Sequence, residues 1–273
     1  MKKSRILSLA LAVLMLAACL VSCKKKDETD WDYIKNKGEM VVGITIYEPM
    51  NYYEDENAAD KVLTGFDTEF TRLVCNKLGI KPNFQIINWS LNESELKAKN
   101  VDCLWNGLTV TEERKASMDF SRPYLVNKQV IVISKDNADK YKTLADFEGA
   151  IITAENGSAG NSAIKADEHL SKATYTGSES QATALLALQA NNVDAAVIDY
   201  TMAKSTVGNG DYENYTILDL GLADEKYAIG FRVGSDMTEK VNKAIDELIN
   251  DGSLKSLAEK YNLLDEYNEA VGK

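Results

Sequence analysis

The sequence predicts an α/β fold of two similar lobes, each with a sheet of mainly parallel strands and helices on both faces. Short apolar segments alternate with segments of helical periodicity, and connections of that length join parallel strands. In addition, residues 96–102 and 188–194 each combine a helix end, a polar turn and the start of an apolar strand, and both contain Asn-Val-Asp. The chain therefore carries two related units, and we expect a ligand cleft between the lobes.

The first unit is expected to begin at Gly38. Apolar residues recur at helical spacing between Phe66 and Leu78, and Gly79 follows as a residue that ends helices. In chain order we predict a strand over 40–46, a helix over 66–78, a strand over 84–87, a helix over 93–99 and a strand over 101–105.

The second unit repeats this plan. In chain order we predict a strand over 130–134, a helix over 144–147, a strand over 150–154, helices over 160–170 and 182–189, and a strand over 193–198. Asp236 and Glu239 have the spacing of a capping box for a helix that reaches residue 249, and a last helix covers 254–261. The predicted lobes are 38–130 with 222–273, and 134–219, joined by hinges near 131–133 and 220–221.

The N-terminal segment predicts export from the cytoplasm. Lys2, Lys3 and Arg5 precede an apolar run over residues 6–22 that only Ser8 and Ser22 interrupt. A basic start followed by such a run is typical of a signal peptide, here residues 1–22.

The end of that segment resembles a bacterial lipoprotein box. Leu-Val-Ser precedes Cys23, and a charged run begins at Lys24. The resemblance implies that Cys23 is lipidated and that residues 23–37 form a tether to the cell membrane. Cys19 fits the same pattern, and an ordinary cleaved signal peptide is the alternative.

Composition argues against several classes of function. Lys plus Arg total 31 against 42 Asp plus Glu, a formal net charge of −11, so nucleic acid is not an expected partner. Cys75 and Cys103 lie in apolar patterns and are predicted to be core residues rather than a disulfide. His169 has no neighbour at zinc-motif spacing, and we expect neither a metal nor a cofactor.

Candidate binding residues follow the predicted strands, because open parallel sheets bind ligands at the carboxyl ends of their strands. The strand over 101–105 leads into Asn106, Gly107, Thr109 and Arg114. A guanidinium can form two charge-assisted hydrogen bonds with a carboxylate, which makes Arg114 a candidate anion site. Alternatively, Asn-Gly is a plain turn and Arg114 is solvated.

Asp199 follows the last strand of the second unit, the equivalent place in the other lobe. A cleft with Arg114 on one wall and Asp199 on the other suits a zwitterion, although Asp199 is also suited to cap a helix. The glycine-rich turn over 154–161 presents helix N-terminal amides near Gly157 and Ser158. A plain helix cap is the alternative for Ser158.

Together these segments resemble the extracellular solute-binding proteins of polar amino-acid ABC importers, solute-binding family 3. The resemblance spans about residues 38–263 and implies the two-lobed periplasmic-binding-protein fold. Its matching segments, in order, are residues 42–43, 47–52, 65–67, 101–102, 106–114, 119–121, 123–124, 157–158 and 193–196 with Asp199.

The resemblance also implies roles for individual residues. Arg114 would bind the α-carboxylate of an amino acid with help from Thr109 and from amides of the Gly157-Ser158 turn. Asp199 would take the α-ammonium, while Tyr47 and Trp89 would pack over the ligand. Asn106, Gly107, Ser158 and Ala159 complete the predicted site.

Two positions of the site depart from the family pattern. Asn106 stands where serine is common, and Ala159 stands where a hydroxyl residue is common, so backbone amides replace a side chain there. The acid that binders of basic amino acids carry after the first strand is not evident; Thr45 is nearest, with Glu48 as a substitute. This departure argues against lysine or arginine as ligand.

The predicted function is that of an extracytoplasmic, lipid-anchored monomer that captures a free amino acid and delivers it to an ABC importer permease, without catalytic residues. An enzyme on the same scaffold, similar to cyclohexadienyl dehydratase, is one alternative, and a ligand sensor is another. Arg114 and Asp199 in opposite lobes favour a binding protein, because their joint engagement by a ligand would favour lobe closure.

Overall fold

The computed structural model describes residues 28–55 and 57–272, and within them it confirms the predicted α/β fold of two lobes. Each lobe is built on a five-stranded sheet. The ten helices are α1 Asp30–Lys37, α2 Phe66–Leu78, α3 Asn92–Lys97, α4 Glu112–Lys115, α5 Ala159–Ala166, α6 Gln181–Gln189, α7 Tyr200–Thr206, α8 Met237–Asn250, α9 Ser253–Lys260 and α10 Leu264–Val271 within the described ranges.

The strands include two that form a small hairpin beside the first lobe. In the described part of the chain they are β1 Glu39–Ile44, β2 Tyr52–Tyr53, β3 Leu63–Thr64, β4 Lys81–Ile86, β5 Cys103–Leu104, β6 Met118–Phe120, β7 Leu125–Ser134, β8 Ile151–Glu155, β9 Thr174–Ser178, β10 Ala195–Asp199, β11 Tyr215–Tyr227 and β12 Gly230–Arg232.

Both sheets are mixed, so the prediction of mainly parallel strands was wrong in detail. The first sheet has the order β4-β1-β5-β12-β6 and the second β11-β7-β10-β8-β9. In each sheet, two pairings are parallel and two are antiparallel. The antiparallel strands belong to the two segments that cross between lobes, which enter a sheet without the helical crossover that parallel pairing needs.

The helix over 66–78 forms as predicted and shows why the first lobe is stable. Phe66, Phe70 and Val74 recur on one face and are fully buried against the sheet. Gly79 then adopts the left-handed conformation with φ 70° and its N–H bonds back to the last turn, which ends the helix.

The chain passes from the first sheet to the second at residues 121–124 and returns at 228–229. The expected hinges, 131–133 and 220–221, instead lie within β7 and β11. These two strands pair with one another over most of their length within the second sheet. The apolar residues 130–134 therefore lie inside β7, and the chain crosses between the lobes before this strand begins.

Part of the predicted tether is folded onto the first lobe, which corrects the expected start at Gly38. The segment Asp30–Lys37 is helix α1, and its Ile34 is fully buried. Nε of Arg232 donates to Oδ2 of Asp30 at 2.9 Å, and the N–H of Trp31 donates to Oδ1 of Asp236 at 2.9 Å. Asp236 was expected to form a capping box at the start of α8. Its side chain instead accepts from the N–H of Trp31 and makes no cap bond to α8.

The signal peptide, Cys19, Cys23 and residues 24–27 of the tether lie outside the described residues. Within the described ranges, no helix combines the length and the apolar character needed to cross a membrane. Cys75 and Cys103 are both buried free thiols, as predicted.

Candidate ligand-binding cleft

A narrow cavity of about 10 Å³, room for roughly one water molecule, lies between the two sheets. Two residues that the sequence did not single out, Glu155 and Gln181, line it together with most of the predicted site. The predicted residues on its walls are Trp89, Asn106, Gly107, Thr109, Arg114, Ser158, Ala159 and Asp199. Chain segments far apart in sequence thus meet at the carboxyl ends of strands from both lobes.

Arg114 extends from the short helix α4 towards the second lobe. Thr111 caps this helix by accepting from the N–H of Arg114. The guanidinium donates from Nη1 to the carbonyl of Thr109 at 2.9 Å and from Nη2 to the carbonyl of Gly157, in the other lobe, at 3.0 Å. Burial lowers the pKa of Arg114, and the nearby Glu225 carboxylate partly offsets this. The cation is therefore held at the lobe junction and contacts both walls.

Asn106 and Gly107 form the turn that positions this wall. Asn106 donates from Nδ2 to Oγ1 of Thr45 at 2.8 Å. Gly107 has φ 57°, and a Cβ there would lie 2.7 Å from the ring of Tyr47, so the turn requires glycine. Its N–H donates to Oδ2 of Asp67 at 2.7 Å. That amide is thus committed within the protein.

Tyr47 does not line the cavity, in contrast to the other predicted residues. Its buried hydroxyl contacts that of Tyr227 at 2.8 Å and forms a short hydrogen bond with Oγ1 of Thr201. Thr201 belongs to α7 in the second lobe, so this contact links the lobes beside the cleft.

Asp199 is held by side-chain amides. Its Oδ1 accepts from Nδ2 of Asn127 at 2.9 Å and from Nε2 of Gln129 at 2.5 Å, and its Oδ2 accepts a short bond from Gln181. Although Asp199 is the N-cap residue of α7, its side chain makes no cap bond. Burial raises the pKa of Asp199, and the amide donors, led by Gln181 and Gln129, oppose that shift.

Glu225, on β11, is a second carboxylate at this end of the cleft. It accepts from Nδ2 of Asn127 at 2.8 Å and from Oγ1 of Thr109 at 3.1 Å. Burial, and then the negative charge of Asp199, raise its pKa to about 8. The Asp199–Glu225 pair therefore retains a proton near neutral pH unless a cation arrives.

Glu155 is the last residue of β8, beside β10, which ends at Asp199. It is 2% exposed, and its Oε1 has no hydrogen-bond partner among residues 28–55 and 57–272. Burial, and then Asp199, raise its pKa to about 8, while Arg114 and the hydroxyl of Thr45 act in the opposite direction. This carboxyl faces the cavity without a partner of its own.

The remaining wall residues have simpler surroundings. Ser158 caps α5 by accepting from the N–H of Asn161 at 3.1 Å, the plain structural role that the sequence left open. Ala159, the next residue, brings no hydroxyl to the cavity. Trp89 begins a single helical turn capped by Asn88 and is 4% exposed.

Sequence reasoning missed Glu155, Gln181 and Glu225. Glu155 had a usable signal, because it directly follows the strand predicted over 150–154 in the second unit. Gln181 and Glu225 had none, since they reach Asp199 and Thr109 only through contacts that span 18 and 116 residues of chain.

A family model for bacterial extracellular solute-binding proteins, family 3, matches residues 40–264 of this chain. The chain belongs to this family. Among curated relatives, the arginine-binding extracellular protein ArtP of Bacillus subtilis is 28% identical over 260 residues, which cover 91% of this chain and 96% of ArtP. The L-cystine-binding protein TcyA of the same organism is 30% identical over 271 residues, 93% of this chain and 96% of TcyA.

Solved structures agree with the two-lobed fold. A substrate-binding protein of an ABC uptake transporter from Streptococcus pneumoniae with bound histidine matches at a TM-score of 0.77 and 27% identity, over 85% of this chain and 96% of that one. An ancestral amino-acid-binding protein, a precursor of cyclohexadienyl dehydratase, matches at a TM-score of 0.76 and 28% identity, over 85% of this chain and 98% of that one.

Proposed function

We propose that this family member captures a free amino acid outside the cytoplasm and delivers it to the permease of an ABC importer. The observation that carries the proposal is the polarity of the cavity. A buried guanidinium, Arg114, projects from the first lobe, and a buried carboxylate, Asp199, stands on the second. The names of relatives that bind arginine, cystine or histidine support an amino acid as the ligand.

In this proposal the carboxylate of the amino acid binds Arg114. To do so it displaces the bond between Nη2 and the carbonyl of Gly157, while Nη1 keeps its bond to Thr109. The planar guanidinium then offers its remaining N–H groups to both carboxylate oxygens. Ser158 and Ala159 form the opposite wall, where the N–H of Ser158 is bonded to the carbonyl of Glu155 at 3.1 Å and the turn therefore shapes the wall.

The α-ammonium binds Asp199. Three amide donors already orient this carboxylate, so it meets the ammonium without rearrangement. The arriving charge also favours ionisation of the neighbouring Glu225. Trp89 packs over the aliphatic part of the ligand, and Asn106 and Gly107 shape the wall beneath it.

Lobe closure follows from this division of contacts. A ligand that touches Arg114 on one lobe and Asp199 on the other makes both contacts only when the lobes are close, so binding shifts the population towards the closed state. The crossings at 121–124 and 228–229 are the proposed hinges. A closed form is the species that docks on the permease, and the proposal needs no chemistry on the ligand.

The lipid anchor is proposed from the sequence, with Cys23 as the modified residue and Cys19 as the alternative. Cys23→Ala is expected to abolish labelling of the protein by a fatty-acid probe in cells. Labelling that persists in Cys23→Ala and disappears in Cys19→Ala would move the anchor.

The test of the binding function is a thermal-shift and calorimetry screen of the full chain in detergent, refolded from denaturant to remove bound ligand. The twenty common amino acids and L-cystine are the probes. A ligand present well above its Kd raises the melting temperature by mass action. Failure of every one of these compounds to bind would refute the proposal.

One observation favours a second candidate, an enzyme of the cyclohexadienyl dehydratase type. Glu155 has its pKa raised to about 8, as a general acid near neutral pH requires, and one solved neighbour is a precursor of such an enzyme. Incubation with a cyclohexadienyl carboxylic acid, followed by ultraviolet absorption of an aromatic product, separates the two candidates.

A further inference from the structure

We propose that the ligand carries a cationic side chain, such as a guanidinium or an ammonium, and that Glu155 is the residue that selects it. This inference rests on the proposed binding of an amino acid. It reverses the expectation that this chain lacks the acid needed for a basic ligand. The acid comes from the second lobe, at the end of β8, and not from the segment after β1.

The cavity walls carry one cation, Arg114, and two carboxylates, Asp199 and Glu155. The carboxylate and ammonium of a zwitterion neutralise Arg114 and Asp199. Glu225 lies behind this wall, where Asn127, Gln129 and Thr109 all donate to it. Glu155 is then left as a buried wall carboxylate without an opposite charge, which proteins rarely retain. One further positive charge on the ligand would pair with it.

One oxygen of Glu155, Oε1, is buried and has no hydrogen-bond partner in the part of the chain that the structure describes. Asp199, on the adjacent strand, by contrast accepts from three amide donors, two at Oδ1 and one at Oδ2. Buried carboxylates are normally hydrogen-bonded, so the open acceptor on the cavity wall calls for a donor from the ligand.

The surroundings of Glu155 suit a cation. The hydroxyl of Thr45 lies near Glu155 and favours the ionised carboxylate. Trp89 lines the same cavity, and indole is the aromatic ring that best attracts a cation.

A ligand with a neutral polar side chain is the alternative. In that case Glu155 would stay protonated and donate its O–H to the ligand, for example to an amide or a ureido group. The raised pKa of this carboxyl is compatible with that state in the free protein. A neutral ligand would then bind at least as tightly as its cationic counterpart, and the comparison of the two decides the matter.

The experiment is calorimetry on the refolded full chain in detergent with matched ligand pairs. L-arginine is compared with its neutral isostere L-citrulline, and L-lysine with L-norleucine, which lacks the side-chain amine. L-histidine and L-cystine identify other sources of a second cationic group. We expect the wild type to bind at least one of L-arginine and L-lysine about tenfold to a hundredfold more tightly than its neutral partner.

Glu155→Gln is expected to bring that ratio close to one, chiefly by weakening the cationic ligand. The matched control is Glu113→Gln, which removes the same charge from an exposed residue and should keep the wild-type ratio. Circular dichroism melts check that both variants fold. If Glu155→Gln does not fold, the wild-type ratios alone decide.

Equal or tighter binding of both neutral isosteres by the wild type would overturn the inference, as would a folded Glu155→Gln that keeps the full preference. Either result leaves the proposed function standing, because an amino acid still binds. Absence of binding by any amino acid would instead refute the proposed function itself.

Discussion

Two buried carboxylates end neighbouring strands of the second sheet, and their surroundings differ. Asp199, at the end of β10, is 5% exposed and accepts hydrogen bonds from three side-chain amides. Glu155, at the end of β8, is 2% exposed and has an oxygen without a partner in the described part of the chain.

The difference separates a group that the fold has already stabilised from one that depends on its ligand. Amide donors oppose the desolvation of Asp199 within the protein, so it is oriented in advance. Arg114 and the hydroxyl of Thr45 offset the burial of Glu155 only in part, and its pKa rises to about 8. The comparison predicts that substitutions at the two sites affect binding, stability and pH dependence in different ways.

The largest effect is expected from replacing the guanidinium that lies near both carboxylates. Arg114→Lys replaces a planar fork by a point charge and leaves the ligand carboxylate with a single contact. We expect loss of at least about 2 kcal/mol of binding free energy, more than about thirtyfold in Kd, by calorimetry. An unchanged Kd would show that Arg114 serves only the turn at Thr109.

Asp199→Asn is expected to weaken every amino-acid ligand alike, because all of them share the α-ammonium. Loss of a charge-assisted contact corresponds to about 1.5–3 kcal/mol, tenfold to more than a hundredfold in Kd. Small-angle scattering with saturating ligand is expected to report less closure. An analogue without the amine should bind the wild type and the variant about equally. A variant that still discriminates against that analogue as the wild type does would remove Asp199 as the amine anchor.

The same two sites are expected to differ in the stability of the ligand-free protein. Asp199→Asn places an amide among three amide donors, so we expect the free energy of unfolding to fall by about 1–3 kcal/mol. Glu155→Gln removes a buried carboxyl that lacks full pairing and is expected to be neutral or stabilising. Urea unfolding of both variants measures this, and a larger loss for Glu155→Gln would contradict the comparison.

The last expected effect is in the pH dependence of stability. Glu155 and Glu225 have pKa values of about 8 when folded, against about 4.3 for an unfolded glutamate. The folded state therefore holds protons that the unfolded chain releases, and its free energy of unfolding falls as the pH rises from about 5 to about 8. Asp67, with its pKa raised to about 7, adds to the same trend.

Glu155→Gln removes one of these groups and should make the decline shallower, while Glu113→Gln should not. Melting temperatures of the ligand-free proteins across this pH range provide the measurement. Identical slopes for the wild type and Glu155→Gln would mean that Glu155 titrates normally in the folded protein.

Local patterns in the sequence were sufficient for several of the elements and for the two principal charges. Helical spacing of apolar residues located α2, and the carboxyl ends of apolar segments located Arg114 and Asp199, because parallel strands bring those ends to one edge of a sheet. The same rule placed Asn106 and Thr109 on the cavity wall. Glu155 also follows the carboxyl end of an apolar segment. It lies in the glycine-rich turn over 154–161, which was interpreted only for its backbone amides, so its carboxylate was overlooked.

Other features depend on contacts between distant parts of the chain. Helix α1 docks through Asp30 and Ile34, and a short segment rich in charge gives no local sign that a lobe will bury one of its faces. The crossings at 121–124 and 228–229 depend on which sheet each strand joins.

The sequence by itself determined two α/β units and a cation and an anion at equivalent strand ends, because periodicity and strand polarity are local properties. Only the tertiary structure decided that amides surround Asp199, while an oxygen of Glu155 has no partner among residues 28–55 and 57–272. Burial and hydrogen bonding depend on every segment packed around a group, and here those segments come from both lobes.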